Sequence, residues 1–382
     1  MSFNKVYINN TASFLPNDPV SNEDMEFYLG LINNNPSKSK SIVLRNNGIK
    51  TRYYALNRES KPTHTNAQMA ALATKALFKN HSYNINEIEL LTCGTSSPDQ
   101  MMPSHGVMTH GWLPETGAIE VVSPSGVCCA GMHAFKYAYL AVKTGDAEKA
   151  VATGSERFSG SLVSDVFEEE ARKLSELKAD PYIGFEKEFL RWMLSDGAGG
   201  FLMSSKPNDK GLSLRVEWID GISHAAEIDA CMYMACEKQP DGTLKSYMDF
   251  TQDELISKSV LSIKQDVKLL GKNIIPRGSK GLKNVLEKKG MKSTEVDYFL
   301  PHMSSEFFKT KIFDQLALDG ICIPYEKWFF NLSTVGNVGA ASIYLMADEL
   351  FHSGKLKQGE KILLLVPESA RFSYMYALLT VC

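Results

Sequence analysis

The sequence predicts an α/β protein built of two related halves, and three observations predict it. Short apolar runs of strand length alternate with longer helical runs, the alternation that gives helix-covered, mostly parallel sheets. A pattern in the first half returns about 208–210 residues later in the same order. Two helical runs, 128–143 and 338–351, are apolar nearly all round, which is the signature of a helix buried on every face. One such run per half suggests central helices sandwiched between two sheets.

The elements follow in order. Glu87-Ile88-Glu89-Leu90-Leu91-Thr92-Cys93-Gly94-Thr95-Ser96-Ser97 is an acidic lead-in, an apolar strand and a polar loop. Glu295-Val296-Asp297-Tyr298-Phe299-Leu300-Pro301-His302-Met303-Ser304-Ser305 repeats it. Val122-Ser123-Pro124-Ser125-Gly126 opens the first central helix, and Leu332-Ser333-Thr334-Val335-Gly336 opens the second. Gly145 and Gly354 stand where glycines stop helices. Apolar strands follow both, at 150–154 and 361–366. The spacing predicts two α/β halves, 1–205 and 206–382. The stretch 157–195 has no counterpart in the second half. With Glu168-Glu169-Glu170-Ala171-Arg172-Lys173, Phe185 and Phe189, it reads as a surface excursion, a dimer contact or a wall of a substrate cavity.

The 382 residues carry 41 Lys and Arg against 44 Asp and Glu, a net charge of −3. That excludes the basic footprint of a nucleic-acid binder. No apolar run reaches the roughly 18–20 residues of a membrane span, and the start has no secretory pattern. Seven cysteines without Cys-x-x-C or Cys/His metal spacing point to a reduced, cytoplasmic protein with no metal. The run Asp196-Gly197-Ala198-Gly199-Gly200 lacks the strand–turn–helix layout of a dinucleotide site and reads as close backbone packing.

Three residues could carry chemistry. Cys129 lies at the first turn of a buried helix, where unpaired N–H groups and the helix dipole favour a thiolate. The alternative is that Cys128 and Cys129 are both small apolar filler, with Cys128 a packing partner in either case. His302 ends an apolar strand, where α/β proteins collect functional groups, or is a hydrogen-bonded loop histidine. Asn337 opens the second central helix as a functional amide or as a cap. By the repeat offset Asn337 maps beside Cys128 and Cys129, so a pseudo-two-fold axis brings both helix starts to one region. A local rival pairs Cys129 with His133 on one helix face.

These residues resemble the thiolase-fold condensing enzymes, and among them β-ketoacyl-acyl-carrier-protein synthase III. Asn47-Gly48-Ile49-Lys50-Thr51-Arg52, Cys93-Gly94-Thr95-Ser96-Ser97, Cys128-Cys129-Ala130-Gly131-Met132, Ser195-Asp196-Gly197-Ala198-Gly199, Pro301-His302 and Gly336-Asn337-Val338-Gly339-Ala340-Ala341-Ser342 match that family's motifs in order. The resemblance implies a five-layer α-β-α-β-α sandwich and a ketosynthase. Cys129 would hold the acyl group, with its N–H and one near Ala370 as oxyanion hole. His302 and Asn337 would bind the donor thioester oxygen. Three departures stand out. The family's histidine motif reads His302-Met303-Ser304-Ser305, the coenzyme-A-stacking tryptophan before Arg45 is missing, and the glycine-rich turn reads Glu368-Ser369-Ala370-Arg371-Phe372. Ser305, Glu368, Arg371 and Phe372 are therefore expected to shape an unusual substrate pocket. The pattern is similar to the ketosynthase/cyclases of dialkylresorcinol, flexirubin and stilbene pathways, which join two acyl chains and close a cyclohexanedione ring. A malonyl-using initiation synthase, an acyltransferase to an alcohol or amine, and a silent partner subunit are the alternatives. The family resemblance implies no cofactor, a homodimer, substrates on acyl carrier protein or coenzyme A, and a basic docking patch drawn from Lys5, Lys210, Lys272, Arg277 and Lys280.

Overall fold

The computed structural model describes residues 3–32, 34–37, 40–79, 81–165 and 190–382. The acidic run 168–173, Phe185 and Phe189 lie outside the described residues.

The first half contributes β1 (Tyr7–Phe14), α1 (Asn66–Phe78), β2 (Leu90–Gly94), β3 (Glu120–Val122), α2 (Cys129–Thr144), β4 (Lys149–Glu156) and β5 (Gly197–Ser204). The second contributes β6 (Leu214–Ser223), α3 (Val267–Lys289), β7 (Tyr298–Pro301), α4 (Lys309–Leu318), α5 (Ser342–Phe351), β8 (Lys361–Glu368) and β9 (Ser373–Val381). The nine strands join in the order β7-β8-β9-β6-β1-β5-β4-β2-β3.

From the outer edges inward, the two sides carry the same pattern. In front, β3, β2 and β4 are parallel, and β5 and β1 then run antiparallel. Behind, a parallel bridge at Trp328 stands beside β7, which is parallel to β8; β9 and β6 then run antiparallel. The sides meet where Tyr7 and Ile8 of β1 pair with Arg215 and Leu214 of β6. The sheets are thus less parallel than the alternation implies. The reason is the connection: β8 and β9 are joined by only Ser369–Phe372, and a short hairpin can only be antiparallel.

Helices α2 and α5 each pack on strands of both sides, α2 on β2, β4, β8 and β9, and α5 on β1, β5 and β7. Outside them, α1 covers β1, β4 and β5, and α3 covers β8 and β9 with α4 against it. The layers run α-β-α-β-α. The central core is one cluster drawn from both halves, including Phe135, Phe201 and Ile343. Burying each such side chain contributes about 1.5–3 kcal/mol.

Helix α5 is buried almost throughout, whereas α2 leaves a stripe of His133, Tyr137, Leu140 and Thr144 exposed. All-round apolarity therefore does not mean all-round burial for α2; its fourth side has no sheet over it among the described residues. Gly145 ends α2 in the left-handed conformation (φ 82°), while α5 stops at Phe351, before Gly354. The glycine-rich run before and within β5 is packing: a Cβ on Gly199 would lie 2.5 Å from Cβ of Tyr344. No helix among the described residues is long and apolar enough to cross a membrane.

Candidate active site

The carboxyl ends of β2, β4, β7 and β8 and the first turn of α2 converge on one cavity of about 850 Å³, the place where α/β sheets collect ligands. Two glycine-permitted contacts bring the halves together there. A Cβ on Gly131 would lie 2.2 Å from the carbonyl oxygen of Ala340, and one on Gly154 2.3 Å from it. Tyr344 Oη donates to the Gly131 carbonyl at 2.7 Å. The start of α2 is thereby pinned to the turn 336–341.

A buried carboxylate reinforces this junction. Glu156, at the end of β4, accepts from Ser96 Oγ and Ser97 Oγ at 2.6 Å and from the Ala340 N–H at 3.1 Å. Burial pushes its carboxyl up to about 7. Asn337 is gripped through its backbone: its N–H donates to Met193 O at 3.1 Å, and Ser195 N–H donates to its carbonyl at 2.9 Å. Its Oδ1 accepts from Gly339 N–H at 3.0 Å. That fixes the amide orientation and makes the NH2 group the end offered to the cavity, which Asn337 lines.

His302 follows β7 and also lines the cavity. Its N–H donates to Leu365 O at 2.8 Å, extending the β7–β8 ladder by one residue. The side chain is 4% exposed, and burial lowers the imidazole to about 4. At neutral pH it is uncharged, with one ring nitrogen to donate and one to accept.

The two cysteines differ in what they face. Cys128 lines the cavity together with His302 and Asn337. Cys129 is fully buried and is not among the lining residues; its Sγ donates to Val366 O at 3.3 Å. One step along a helix turns a side chain by about 100°, so only one neighbour of the pair can face the cavity, and it is Cys128. The resemblance puts the nucleophile at Cys129, which in this structure lies one residue behind the sulfur that opens on the cavity. The Cys129–His133 rival falls as well, since Cys129 is sealed in the core while His133 is exposed.

Burial pushes the Cys128 thiol up, and the nearby Glu368 and Glu156 carboxylates push it further. Cys129 is raised by the same kind of causes. The N–H groups of the helix start are also already occupied by a side chain. Glu368 Oε2 accepts from Val127 N–H at 3.1 Å and Cys129 N–H at 3.2 Å, the amides on either side of Cys128. The Cys129 amide expected in the oxyanion hole is there, and it is filled by this carboxylate. Ala370 lines the cavity too, and its carbonyl accepts from Cys231 N–H at 2.7 Å and Met232 N–H at 3.2 Å, which holds the β8–β9 turn in place.

Of the four expected pocket residues only Glu368 lines the cavity. Ser305 is buried behind it, where its Oγ accepts from Phe307 N–H and caps a short turn. Arg371 points outward and donates to Ile228 O. Phe372, at φ 57°, sits fully buried in the rear core. Ser369 and Ala370 stay on the cavity with Glu368, and the turn then carries Arg371 and Phe372 away from it. Of the 157–195 stretch, Leu190, Met193 and Leu194 do form cavity wall. Sequence reading missed the opposite wall, where Met232, Ile263 and Ile274 come from the segment between β6 and the middle of α3. No short-range pattern marks these residues as neighbours of Cys128.

Residues 286–369, which include His302, Asn337 and Glu368, match the family model described as 3-oxoacyl-[acyl-carrier-protein (ACP)] synthase III C terminal. The chain is 24% identical over 359 residues to the β-ketoacyl-[acyl-carrier-protein] synthase III of Neisseria gonorrhoeae (strain NCCP11945), covering 94% of this chain and 93% of that one. The chain thus resembles the synthase III condensing enzymes over nearly its whole length. Solved structures agree in fold. The tetronic acid condensing enzyme AbyA1 superposes with TM-score 0.77 at 17% identity, over 98% of this chain and 99% of that one. A single-residue variant of Xanthomonas campestris OleA superposes with TM-score 0.73 at 16% identity, over the whole of both chains. The family match covers the rear half of the synthase-like site, and the fold places the cysteine pair of the front half against it.

Proposed function

We propose that this synthase III-like enzyme joins two acyl thioesters by a Claisen-type carbon–carbon condensation through an acyl-Cys128 intermediate, with ring closure to a cyclohexanedione following in the same cavity. The observation that carries the reading is the convergence of Cys128, His302 and Asn337, from both halves, on one largely apolar cavity. Cys128 Sγ attacks the first thioester and releases its carrier thiol. Covalent holding splits one hard step into two easier ones. His302 and the Asn337 NH2 donate to the oxygen of the second thioester as its α-carbon becomes a carbanion, charge stabilisation of the oxyanion-hole type. The size and apolar lining of the cavity, with Leu190, Met193, Ile274 and Leu316 on its walls, support substrates with long acyl chains.

The test is intact-protein mass spectrometry after incubation with an acyl thioester, then product analysis with a second one. Cys128→Ala should lose the acyl mass shift, and Cys129→Ala should keep it. Labelling that survives in Cys128→Ala and vanishes in Cys129→Ala would return the nucleophile to Cys129. Formation of an ester or amide in place of a carbon–carbon product would make the chain a simple acyltransferase.

Acyl carrier protein is the proposed donor of substrates. Among the residues expected to form its docking patch, Lys272, Arg277 and Lys280 share α3, whose inner side lines the cavity through Leu270 and Ile274. Arg277 is engaged with Glu227 at 2.6 Å. Lys5 precedes β1 and Lys210 lies between β5 and β6, so neither belongs to this helix. A homodimer is proposed across the outer edge formed by β3 and the exposed Tyr137 and Leu140 of α2.

A further inference from the structure

Every condensation of this type must make a carbanion. A malonyl donor does so by losing carbon dioxide. A donor without a carboxyl group to lose needs a base at its α-carbon. The cavity wall carries two carboxylates, Asp99 and Glu368. Asp99 is committed: it accepts from the amides of Asn66 and Ala67 at 2.9 and 3.0 Å and pairs with Arg157 at 3.3 Å. Glu368 has no ion pair among the described residues. Its two hydrogen bonds come from the amides flanking Cys128, and it is 9% exposed, facing the same space as Cys128, His302 and Asn337.

Those amides are also where the carbonyl oxygen of an acyl group on Cys128 would find donors. Carboxylate and carbonyl compete for them. Loading the acyl group therefore displaces Glu368 from the two amides into the cavity, where its oxygens are free to meet the α-carbon of a donor. Gly126 leaves room for the movement: a Cβ there would stand 3.4 Å from Glu368 Oε2.

We propose that Glu368 is a catalytic base, released from the Val127 and Cys129 amides by acylation of Cys128, which takes the α-proton of a donor thioester that carries no carboxyl group to lose. The proposal rests on the Claisen reading given above. The proton passes from the α-carbon to Glu368, and the C–H electron pair moves into an enolate held by His302 and Asn337. The enolate carbon attacks the acyl carbon, a C–C bond forms and the C–S bond to Cys128 breaks. The departing sulfur takes the proton back from Glu368. Thiol and carboxylate are both restored, and no carbon dioxide, oxidant or external base is involved. This is what a carboxylate in place of a glycine-rich turn adds, and it narrows the donor to β-ketoacyl or simple acyl thioesters.

Wild type, Glu368→Gln, Glu368→Asp and Cys128→Ala are loaded with octanoyl-coenzyme A and weighed, then given 3-oxooctanoyl-coenzyme A as donor. The glutamine keeps an oxygen for the two amides and removes a charge that holds the thiol up, so Glu368→Gln should still acylate, at least as fast as wild type. Its condensation product should fall at least about 100-fold, the size of a general-base contribution, with partial recovery in Glu368→Asp. Condensation by Glu368→Gln within a few-fold of wild type overturns the base and leaves the Claisen reading intact. Loss of acylation in Glu368→Gln also overturns it, because the carboxylate then acts in loading. A wild type that acylates Cys128 yet condenses only with malonyl-coenzyme A removes the need for a base and sinks the ring-forming reading. A wild type that acquires no acyl group sinks the nucleophile itself.

Discussion

At the scale of the residue, the site is a set of groups held in unusual states by burial. The Glu368 carboxylate beside Cys128 disfavours a second negative charge, so it adds to the burial that raises the thiol. Replacing Glu368 by Gln removes that charge and should lower the thiol pKa. Iodoacetamide should then alkylate Cys128 faster at pH 7 in the variant; an unchanged rate would mean the carboxylate does not act on the sulfur. Burial acts in the opposite sense on the imidazoles. His302 and His105 are both lowered to about 4 from 6.5. On unfolding they regain ordinary affinity for protons, so the unfolded chain binds more protons between pH 6.5 and 4. Their contribution is complete above about 6.5 and is lost as pH falls toward 4, of order 3 kcal/mol each. Glu156 works against them: raised from 4.5 to about 7, it gives the folded state the extra proton and gains stability as pH falls through 7. Two histidines outweigh one carboxyl, so the melting temperature should drop between pH 6.5 and 4.5. Thermal melts should show a shallower drop in His302→Gln and a steeper one in Glu156→Gln.

At the scale of the element, the site depends on how closely two helix starts approach. Gly131 on α2 has no space for a methyl group against the Ala340 carbonyl. Backbone cannot give way as a side chain does, so Gly131→Ala should cost about 3 kcal/mol, the upper part of the overpacking range. It should also part Cys128 from Asn337 and reduce acylation and condensation together. A stable, fully active Gly131→Ala would show that this contact does not set the site. Helix α2 shows how far an element can be read in isolation. Its start, its glycine stop and its inward residues Phe135, Ala138 and Val142 follow from the pattern. Its exposed stripe does not, because Tyr137 and Leu140 look like core until the layers above them are known. The cysteine pair is under-determined for a related reason. Position at a helix start singles out a pair, and only the rotation of the helix against β8 decides which sulfur faces the cavity.

At the scale of the molecule, the proposed partners approach from outside the layers. The exposed Lys268, Lys272, Lys280 and Lys283 run along α3 beside the cavity. Reversing Lys272 and Lys280 to Glu should raise KM for thioesters on the acidic carrier protein and leave small coenzyme A thioesters unaffected. The effect should fade with salt, as screening between exposed charges requires; equal losses with both substrates would place carrier docking elsewhere. Leu140, 46% exposed on the same helix as Tyr137, tests the proposed dimer. Leu140→Asp should shift sedimentation from dimer to monomer, and an unmoved boundary would rule out that face.

The sequence by itself determined the duplicated α/β plan, the central helices, and the residues His302 and Asn337 at their strand and helix ends, because periodicity and repeat offset are local or translational properties of a chain. Tertiary structure alone decided that Cys128 and not Cys129 opens on the cavity, that Glu368 fills the amides beside it, and that Ser305, Arg371 and Phe372 stand apart. Those outcomes depend on the rotation of packed elements about their own axes, which close packing across both halves fixes and no single stretch of residues encodes.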